Sequence, residues 1–538
     1  MTGSPRASPP QNDSSISLKR FFQKEFAKRL FHADIDALSS LRGIFTGTLI
    51  VPDLQQVVAF RDLLGAATAY YRETGDSFAI SSSACLLARA ANSVTEDADT
   101  IYRHFSLTGS RVPGRTAFES VSELLPGEMI ERRHNRSSFG RKSWRPERIA
   151  STVDTSNLSD LIRQRLKCAI DRILPEEGDT GIMLSGGMDS GPSASLANQL
   201  LRRSNRKLHV VSWSLDDYPE ADEWFWVETL AKDLNLPILR VAGSELLPFS
   251  SLEKSAVQSD WPDFNPFRPL INACYGMAQA NGITNLINSN AGDQLYPASR
   301  LVLTDLIQRR EYLAAIQRIL KALGKPKPGP AQAYAELRCL LSNWKRRHLQ
   351  PRSGKIQPWI RVSSETVDPT YHAWPPESRT YPVTAYAEQI LGMGLSGSLA
   401  HENDFSLRYD VNRIDPFYDP DLAGLFLSIP FALHYDGSQS KSTMRRAMQG
   451  HLPENFRTKP RTGLLTPFFH AGFEENRSKI RDLLSVSNGW KTWVRSEPVN
   501  AVLSGTDQSS RGRLIVSACI GYCLWKERIA SDAVTSVR

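Results

Sequence analysis

The sequence predicts an α/β protein whose main domain is built on a doubly wound parallel sheet and is preceded by a smaller, strand-rich domain. From Leu158 onwards, short apolar runs alternate with segments of helical periodicity, as in parallel strands joined by crossover helices. Before residue 140, short β-like runs separated by turn signals predominate. A chain of 538 residues is also long for a single hydrophobic core, so we expect two or three domains.

The composition divides the chain into three segments. Residues 1–17 are rich in Ser and Pro and contain no apolar run, which predicts a disordered lead-in rather than a signal peptide. Residues 18–150 form the first predicted domain and end in a linker rich in Asn, Arg, Ser and Gly. Residues 151–538 form the second, with large helical additions after residue 300.

The charge and the cysteines exclude several classes of protein. A net charge of +8 is mild for this length, so it is compatible with an acidic substrate such as a nucleotide but does not indicate nucleic-acid binding. The six cysteines are scattered, without CxxC or zinc-ligand spacing, which predicts reduced core thiols in a cytoplasmic protein. No apolar window is long enough to span a membrane.

The stretch from Gly181 to Ser190 predicts a phosphate-binding turn. Ile182–Leu184 is the apolar end of a strand, Ser185–Gly187 is a turn, and a helical pattern follows. Backbone N–H groups at the start of a helix, together with its dipole, favour an anion, and Asp189 can hold Mg2+ beside phosphates. The alternative is an ordinary strand–turn–helix connection.

A second polar loop, from Ser289 to Gln294, follows another predicted strand. Ligands of doubly wound sheets bind at the carboxyl ends of the strands, so Asp293 can share a metal ion with Asp189. Further along, Lys459 and Arg461 lie on an irregular stretch. If that stretch is extended, both side chains can reach one anionic centre. Solvated surface charges are the alternative for this pair.

These motifs together resemble the asparagine synthetase family of the PP-loop ATP-pyrophosphatase type. Leu184–Ser190 is similar to its pyrophosphate loop, and Asn290–Gln294 to its second acidic loop. The C-terminal motifs occur in the family's order, and Arg61-Asp-x-x-Gly resembles its N-terminal, Ntn-type glutaminase domain. The resemblance implies a metal site of Asp189 and Asp293, and nucleotide binding by Leu184, Ser185, Gly186, Gly187, Met188, Asp189, Ser190, Trp213, Ser289 and Lys441.

The departures from the family pattern concern the source of the amine. Glutaminase domains of true asparagine synthetases use an N-terminal cysteine, whereas this sequence begins Met-Thr-Gly-Ser and its first cysteine is Cys85. The first domain is therefore expected to lack its nucleophile. β-Lactam and carbapenam synthetases and the macrolactam synthetases of lasso peptides, which close a ring through the substrate's own amine, are the branches that fit. The helical insertion and the segment around Trp359 resemble the lasso-peptide cyclases most.

Two further departures bear on the catalytic residues. A glutamate or tyrosine of the family is replaced by Asn290, which cannot act as a general base, and the late catalytic lysine falls on Arg461, with Lys459 two residues earlier. Arginine cannot transfer a proton near neutral pH, whereas lysine can. The candidate catalytic residues are therefore Arg461, Lys459 and Asn290, with the general base unassigned.

The resemblance implies an ATP- and Mg2+-dependent cyclase of a precursor peptide. It would adenylate an Asp or Glu side chain, close a macrolactam with the N-terminal amine, and release AMP and pyrophosphate. A leader peptidase and a leader-peptide-binding protein are its implied partners. The alternatives are a β-lactam-type small-molecule cyclase, a glutamine-independent asparagine synthetase homologue, a PP-loop enzyme acting on tRNA, and a non-catalytic nucleotide-binding relative.

Overall fold

The structure is a computed structural model. It describes residues 6–7, 28–29, 32, 34–107, 113–134, 136–141, 157–253, 257, 259–296, 301–323, 329–348, 357–361, 397–435, 440–459 and 463–535. Antiparallel sheets occupy its N-terminal part, and a five-stranded parallel sheet surrounded by helices follows. The predicted fold class is confirmed.

The N-terminal domain contains two larger antiparallel sheets and two helices. Its elements are β1 (Arg6–Ala7), β2 (Leu41–Arg42), β3 (Thr46–Val51), β4 (Gln56–Arg61), β5 (Tyr70–Thr74), β6 (Ser77–Ser81), α1 (Ala84–Ala90), α2 (Ala98–Ser106), β7 (Ser122–Glu123), β8 (Glu128–Arg133) and β9 (Arg136–Arg141). The strand orders are β3-β4-β8-β9 and β6-β5-β7, and β1 pairs with β2. Strand β1 is the described part of residues 1–17.

Apolar side chains from the two sheets pack together. Ala59 of β4 and Ile130 of β8 form a buried cluster with Ala69 and Leu124, against which Tyr71 of β5 also packs. The alternation of inward and outward side chains along each strand produces this layer.

The second domain is organised around β10, the central strand of a parallel sheet. Its elements are α3 (Leu158–Ile173), β10 (Asp179–Met183), α4 (Ser190–Arg203), β11 (Leu208–Ser214), α5 (Trp224–Asp233), β12 (Ile238–Ala242), α6 (Arg268–Ala280), β13 (Ile283–Ile287) and β14 (Asn412–Ile414). The strand order is β12-β11-β10-β13-β14. Successive strands are added on one side of β10 and then on the other, so a topological switch point lies between β10 and β13.

Helices make up most of the remaining described chain. They are α7 (Val302–Gln308), α8 (Tyr312–Leu323), α9 (Gly329–His348), α10 (Gly397–Tyr409), α11 (Pro420–Ser428), α12 (Ser442–Ala447), α13 (Glu454–Thr458), α14 (Thr466–Glu475), α15 (Arg477–Val486), α16 (Ser496–Leu503) and α17 (Ser510–Thr535). The predicted helical insertion is present as α7 to α9. The sequence also predicts a Pro- and Gly-rich break at residues 324–330 and an irregular loop at 351–382, and both lie largely outside the described residues.

One hydrophobic cluster joins the two domains. Phe105 of α2 packs with Tyr522 of α17 at a ring-centroid distance of 5.3 Å, and Phe118 packs with Trp525. Trp359 belongs to this cluster and donates from Nε1 to the Phe105 carbonyl at 2.9 Å. The N-terminal domain therefore shares its core with the C-terminal helices.

Two other expectations concern cysteines and membranes. The five cysteines whose side chains are described carry free thiols, and all but Cys168 are buried. None of the described helices combines the length and apolar character required to cross a bilayer.

Candidate functional site: a phosphate loop with two carboxylates and two lysines

The predicted phosphate turn lies at the switch point, between the end of β10 and the start of α4. Gly186 has φ +68°, and a Cβ at this position would lie 3.1 Å from Cβ of Trp226 on α5. Glycine is therefore required here both by the left-handed backbone and by the neighbouring helix. The Gly191 N–H donates to the Gly187 carbonyl at 3.0 Å and the Ser193 N–H to the Asp189 carbonyl at 3.3 Å. The donors that this end of β10 can present to an anion are therefore the backbone N–H groups of the turn itself, from Gly186 to Ser190.

The two serines of the turn have different surroundings. Ser185 is exposed, whereas Ser190 is buried beneath the turn. The hydroxyl of Ser190 accepts from the Ser185 backbone N–H at 3.2 Å and lies 3.2 Å from the Ser185 hydroxyl. Ser185 can thus reach a ligand directly, while Ser190 stabilises the turn from below.

Two carboxylates and one ammonium meet beside this turn. Lys441 Nζ forms an ion pair with Asp189 and lies 2.7 Å from Asp293 Oδ1. Asp189 Oδ1 is buried and has no hydrogen-bond partner. The structure therefore brings together the two predicted metal ligands, from loops more than a hundred residues apart, together with the predicted nucleotide lysine.

Gly292, in the second polar loop, allows the Asp189 carboxylate to take this position. A Cβ at residue 292 would lie 2.7 Å from Asp189 Oδ2 and 2.8 Å from Oδ1. The hydroxyl of Tyr296, at the end of the same loop, is also buried without a hydrogen-bond partner. Burial raises the pKa of Tyr296, and the charges of Asp189 and Asp293 raise it further, so this phenol stays protonated.

The donor set fits Mg2+ held jointly with phosphates. Among the described residues there is no group of three or more His, Cys, Asp or Glu side chains able to hold a metal ion alone. Mg2+ is commonly bound by one or two carboxylates plus substrate phosphates, because it retains several waters. Asp189, with its unpartnered oxygen, and Asp293, whose side chain is 78% exposed, supply such a pair.

Lys459 lies on the other side of the phosphate turn, against α5. Its Nζ is 4.7 Å from the Trp226 ring centroid and 3.6 Å from Glu223 Oε1. Burial lowers the pKa of Lys459, although Glu223 opposes this effect. The stretch that the sequence predicts to be irregular contains the short helix α13, which Lys459 follows directly. Arg461 lies outside the described residues, so its convergence with Lys459 stays a prediction.

Arg445 connects the segments that carry the two lysines. Its Nε donates to the Ser440 carbonyl at 2.9 Å, and its Nη1 donates to the Lys459 carbonyl at 3.1 Å and to that of Arg457. The side chain of Arg445 therefore fixes the chain entering Lys441 against the chain leaving α13.

The other predicted nucleotide residues lie in two different clusters. Leu184 and Met188 are buried in the large core cluster that includes Val210 of β11. Trp213, also on β11, instead packs with the cluster that contains Val211 and residues of α6. The structure does not bring Trp213 and Leu184 into one cluster. Ser289 donates from Oγ to Ser193 Oγ at 3.5 Å and so joins the second loop to α4.

The sequence does not single out a half-buried acid, Glu402, near the carboxyl end of β13. The hydroxyl of Tyr275 on α6 donates to Glu402 Oε2 on α10 at 3.1 Å, and Asn288 Nδ2 donates to the same oxygen at 3.1 Å. Burial raises the pKa of Glu402 to about 7. Glu402 lies 114 residues after Asn288 and 127 after Tyr275, so no spacing motif connects it to them, although it stands in a polar run, His401–Asp404, within α10.

Asn290 is directed towards a neighbouring buried ion pair. Arg413 Nε lies 2.7 Å from Asp415 Oδ2, at the end of β14. Burial raises the pKa of Asp415, and the backbone and side-chain amides of Asn290 oppose this rise. Asn290 thus lies beside the polar cluster that contains Glu402, and its amide supplies no basic group.

Comparisons with known families agree with this arrangement. The family model described as "Asparagine synthase" matches residues 161–525, and that described as "Glutamine amidotransferase domain" matches residues 30–144. The first covers the parallel sheet, the phosphate loop and both lysines, and the second covers the antiparallel sheets.

Individual relatives are distant. Amidase chry2 of Gibberella zeae is 25% identical over 284 residues, covering 49% of this chain and 41% of the relative. Amidase chyE of Penicillium rubens is 23% identical over 299 residues, covering 52% of this chain and 43% of the relative. Glutamine-hydrolyzing asparagine synthetase 1 of Saccharomyces cerevisiae is 30% identical over 165 residues, covering 30% of this chain and 24% of the relative. The chain thus spans less than half the length of each.

Proposed function

The chain belongs to the asparagine synthase family, and we propose that it is an ATP-dependent, AMP-forming amide ligase that cyclises its substrate. The proposed substrate is a precursor peptide whose Asp or Glu side chain is adenylated and then joined to the peptide's own N-terminal amine, as in lasso-peptide cyclases. The observation that carries the proposal is the convergence of the phosphate turn, Asp189, Asp293 and Lys441 at the switch point of the sheet.

The N-terminal domain supports the proposal that the substrate itself supplies the attacking amine. Arg61 is buried, pairs with Glu123 at 2.8 Å, and donates to the carbonyls of Gly65 and Ala67. These contacts make Arg61 a structural residue of the N-terminal domain. Cys85, the one cysteine among residues 30–144, is buried in α1 and cannot act as an accessible nucleophile.

In the proposed first step, a carboxylate oxygen of the substrate attacks the α-phosphorus of ATP, and the bond to the β-phosphate breaks. The N–H groups from Gly186 to Ser190 and the hydroxyl of Ser185 hold the leaving pyrophosphate, with Lys441 beside them. Fixed donors aimed at developing charge lower the barrier without reorganisation. Asp189 and Asp293 would hold Mg2+, which neutralises phosphate charge when bound.

In the second step, the amine attacks the acyl carbon, the bond to AMP breaks, and the nitrogen loses a proton. We assign the acceptance of this proton to Glu402, whose pKa of about 7 suits a base near neutral pH. Tyr275 and Asn288 orient its carboxylate. Lys459 would stabilise charge on the phosphate side. Because both reacting groups belong to one molecule, proximity supplies much of the rate.

The proposal is tested with peptides translated from short reading frames that flank the gene. Each is incubated with the protein, ATP and Mg2+, and the peptide mass and nucleotide products are measured. The expected result is a peptide lighter by one water, with AMP and pyrophosphate. Asp189→Ala should abolish both products, whereas Asp217→Ala, on an exposed turn, should not.

Other products would contradict the proposal. ADP with phosphate would exclude adenylation. Turnover of an amino-acid-derived small molecule but not of peptides would favour a β-lactam-type cyclase. Cleavage of an amide without ATP would favour hydrolysis, the activity in the names of the two fungal relatives.

A further inference from the structure

Lys441 occupies the position between the two carboxylates assigned to the metal. Its Nζ contacts Asp189 and lies 2.7 Å from Asp293, and the side chain is only 14% exposed. The ammonium also lies 5.3 Å from the ring centroid of Tyr296. Its three N–H donors can serve both carboxylates at once.

The backbone at Lys441 contributes to this position. The residue has φ +60°, in the left-handed region that residues other than glycine rarely adopt. Lys441 therefore differs from a solvated surface lysine, because its backbone is strained and its ammonium pairs with two carboxylates.

We propose that Lys441 is an internal counter-ion of the Asp189–Asp293 pair, and that it makes divalent-metal binding depend on nucleotide. This inference rests on the proposed function. A free metal ion must displace an ammonium that has two charged partners and would lose both. When ATP is present, its phosphates offer the ammonium new anionic partners, so the exchange proceeds without leaving a buried charge unpaired.

The arrangement also explains how two carboxylates can lie together beneath an anion-binding turn. Without Lys441, the mutual repulsion of the two carboxylates would separate them. With Lys441, the site carries a net charge of minus one, which repels incoming ATP less than two bare carboxylates would. The lysine therefore keeps the pair assembled for a metal ion that arrives with its nucleotide.

The test measures Mn2+ binding by electron paramagnetic resonance, with and without the α,β-methylene analogue of ATP. Wild-type protein should bind Mn2+ weakly alone and much more tightly with the analogue. Lys441→Gln should bind Mn2+ alone roughly ten- to hundredfold more tightly than wild type, because two charge-assisted contacts no longer compete. Lys441→Arg should stay close to wild type.

Three controls distinguish a specific effect of Lys441 at the metal site from a general effect of charge and from unfolding. Lys232→Gln removes the same charge from an exposed position on α5 and should leave Mn2+ binding unchanged. Adding Asp293→Asn to Lys441→Gln should abolish the gain. Circular dichroism checks folding, and Lys441→Met replaces the glutamine variant if that variant is unfolded.

The inference is overturned if neither uncharged variant binds Mn2+ more tightly than wild type, or if the gain survives Asp293→Asn. Failure of wild-type protein to bind the ATP analogue would overturn the proposed function instead. The comparison without nucleotide would still decide the role of Lys441.

Discussion

Replacing Gly292 with alanine should impair the site without unfolding the protein. The new methyl group would lie 2.7 and 2.8 Å from the two carboxylate oxygens of Asp189, whereas ordinary contacts begin near 3.4 Å. Asp189 Cγ would be closer still, at 2.4 Å, so the carboxylate must move by about 1 Å, which disturbs its ion pair with Lys441. Because the displaced atoms are the end of a side chain, we expect the free energy of unfolding to fall by no more than about 1 kcal/mol.

A displacement of this size is large for a catalytic group. Misplacement by 1 Å can lower a rate by about 10²-fold, so Gly292→Ala should reduce pyrophosphate release by roughly 10- to 100-fold. The assay measures pyrophosphate during turnover of peptide and Mg·ATP, and urea denaturation measures stability in parallel.

Gly424→Ala is the matched control. Gly424 lies in α11, and a Cβ there would have no neighbour within 4 Å. This variant should keep full activity and gain up to about 1 kcal/mol, since alanine favours a helix over glycine. Wild-type pyrophosphate release by Gly292→Ala would refute the placement of Asp189, as would a loss of activity that merely follows unfolding.

Two further predictions concern buried charges. The pKa of Glu402 rises from its ordinary 4.5 to about 7, so folding disfavours the carboxylate and stability falls as pH increases through this interval. Glu402→Gln should therefore be more stable than wild type above pH 7, by about 3 kcal/mol at most, and no different near pH 4. The rate of amide formation by the wild type should rise as the pH increases through about 7, as Glu402 loses its proton. Glu402→Gln should have little activity, and its residual rate should not show this rise. The same rise in the variant would exclude Glu402 as the base. Arg61→Met should lower the free energy of unfolding by about 3–5 kcal/mol because it leaves Glu123 buried without its partner. Urea titration should show recovery of much of this loss in Arg61→Met/Glu123→Leu, and no recovery would refute the buried pair.

Local periodicity was sufficient to predict the parallel sheet. In α3, for example, the buried residues recur at helical spacing and form one buried face: Leu158, Ile162, Leu166, Ala169 and Ile170. Sequence spacing does not determine which strands are neighbours. The adjacency of β10 and β13, which brings Asp189 to Asp293, followed from the general behaviour of doubly wound sheets.

The remainder of the site depends on contacts between distant segments. Glu402 and Tyr275 are 127 residues apart, and each lies in a helix whose sequence gives no sign of the other. Arg61 pairs with Glu123, which lies 62 residues later in the chain. Residues brought together by tertiary packing leave no local pattern, whereas glycine-rich turns at strand ends do.

The central claim is that a substrate carboxylate attacks the α-phosphorus of ATP. It is tested most directly with a peptide whose acidic side chain carries 18O in both carboxylate oxygens. The account predicts that the cyclic product retains one labelled oxygen and that the other appears in AMP. Label in inorganic phosphate or in water, with unlabelled AMP, would contradict adenylation and the role assigned to the phosphate turn.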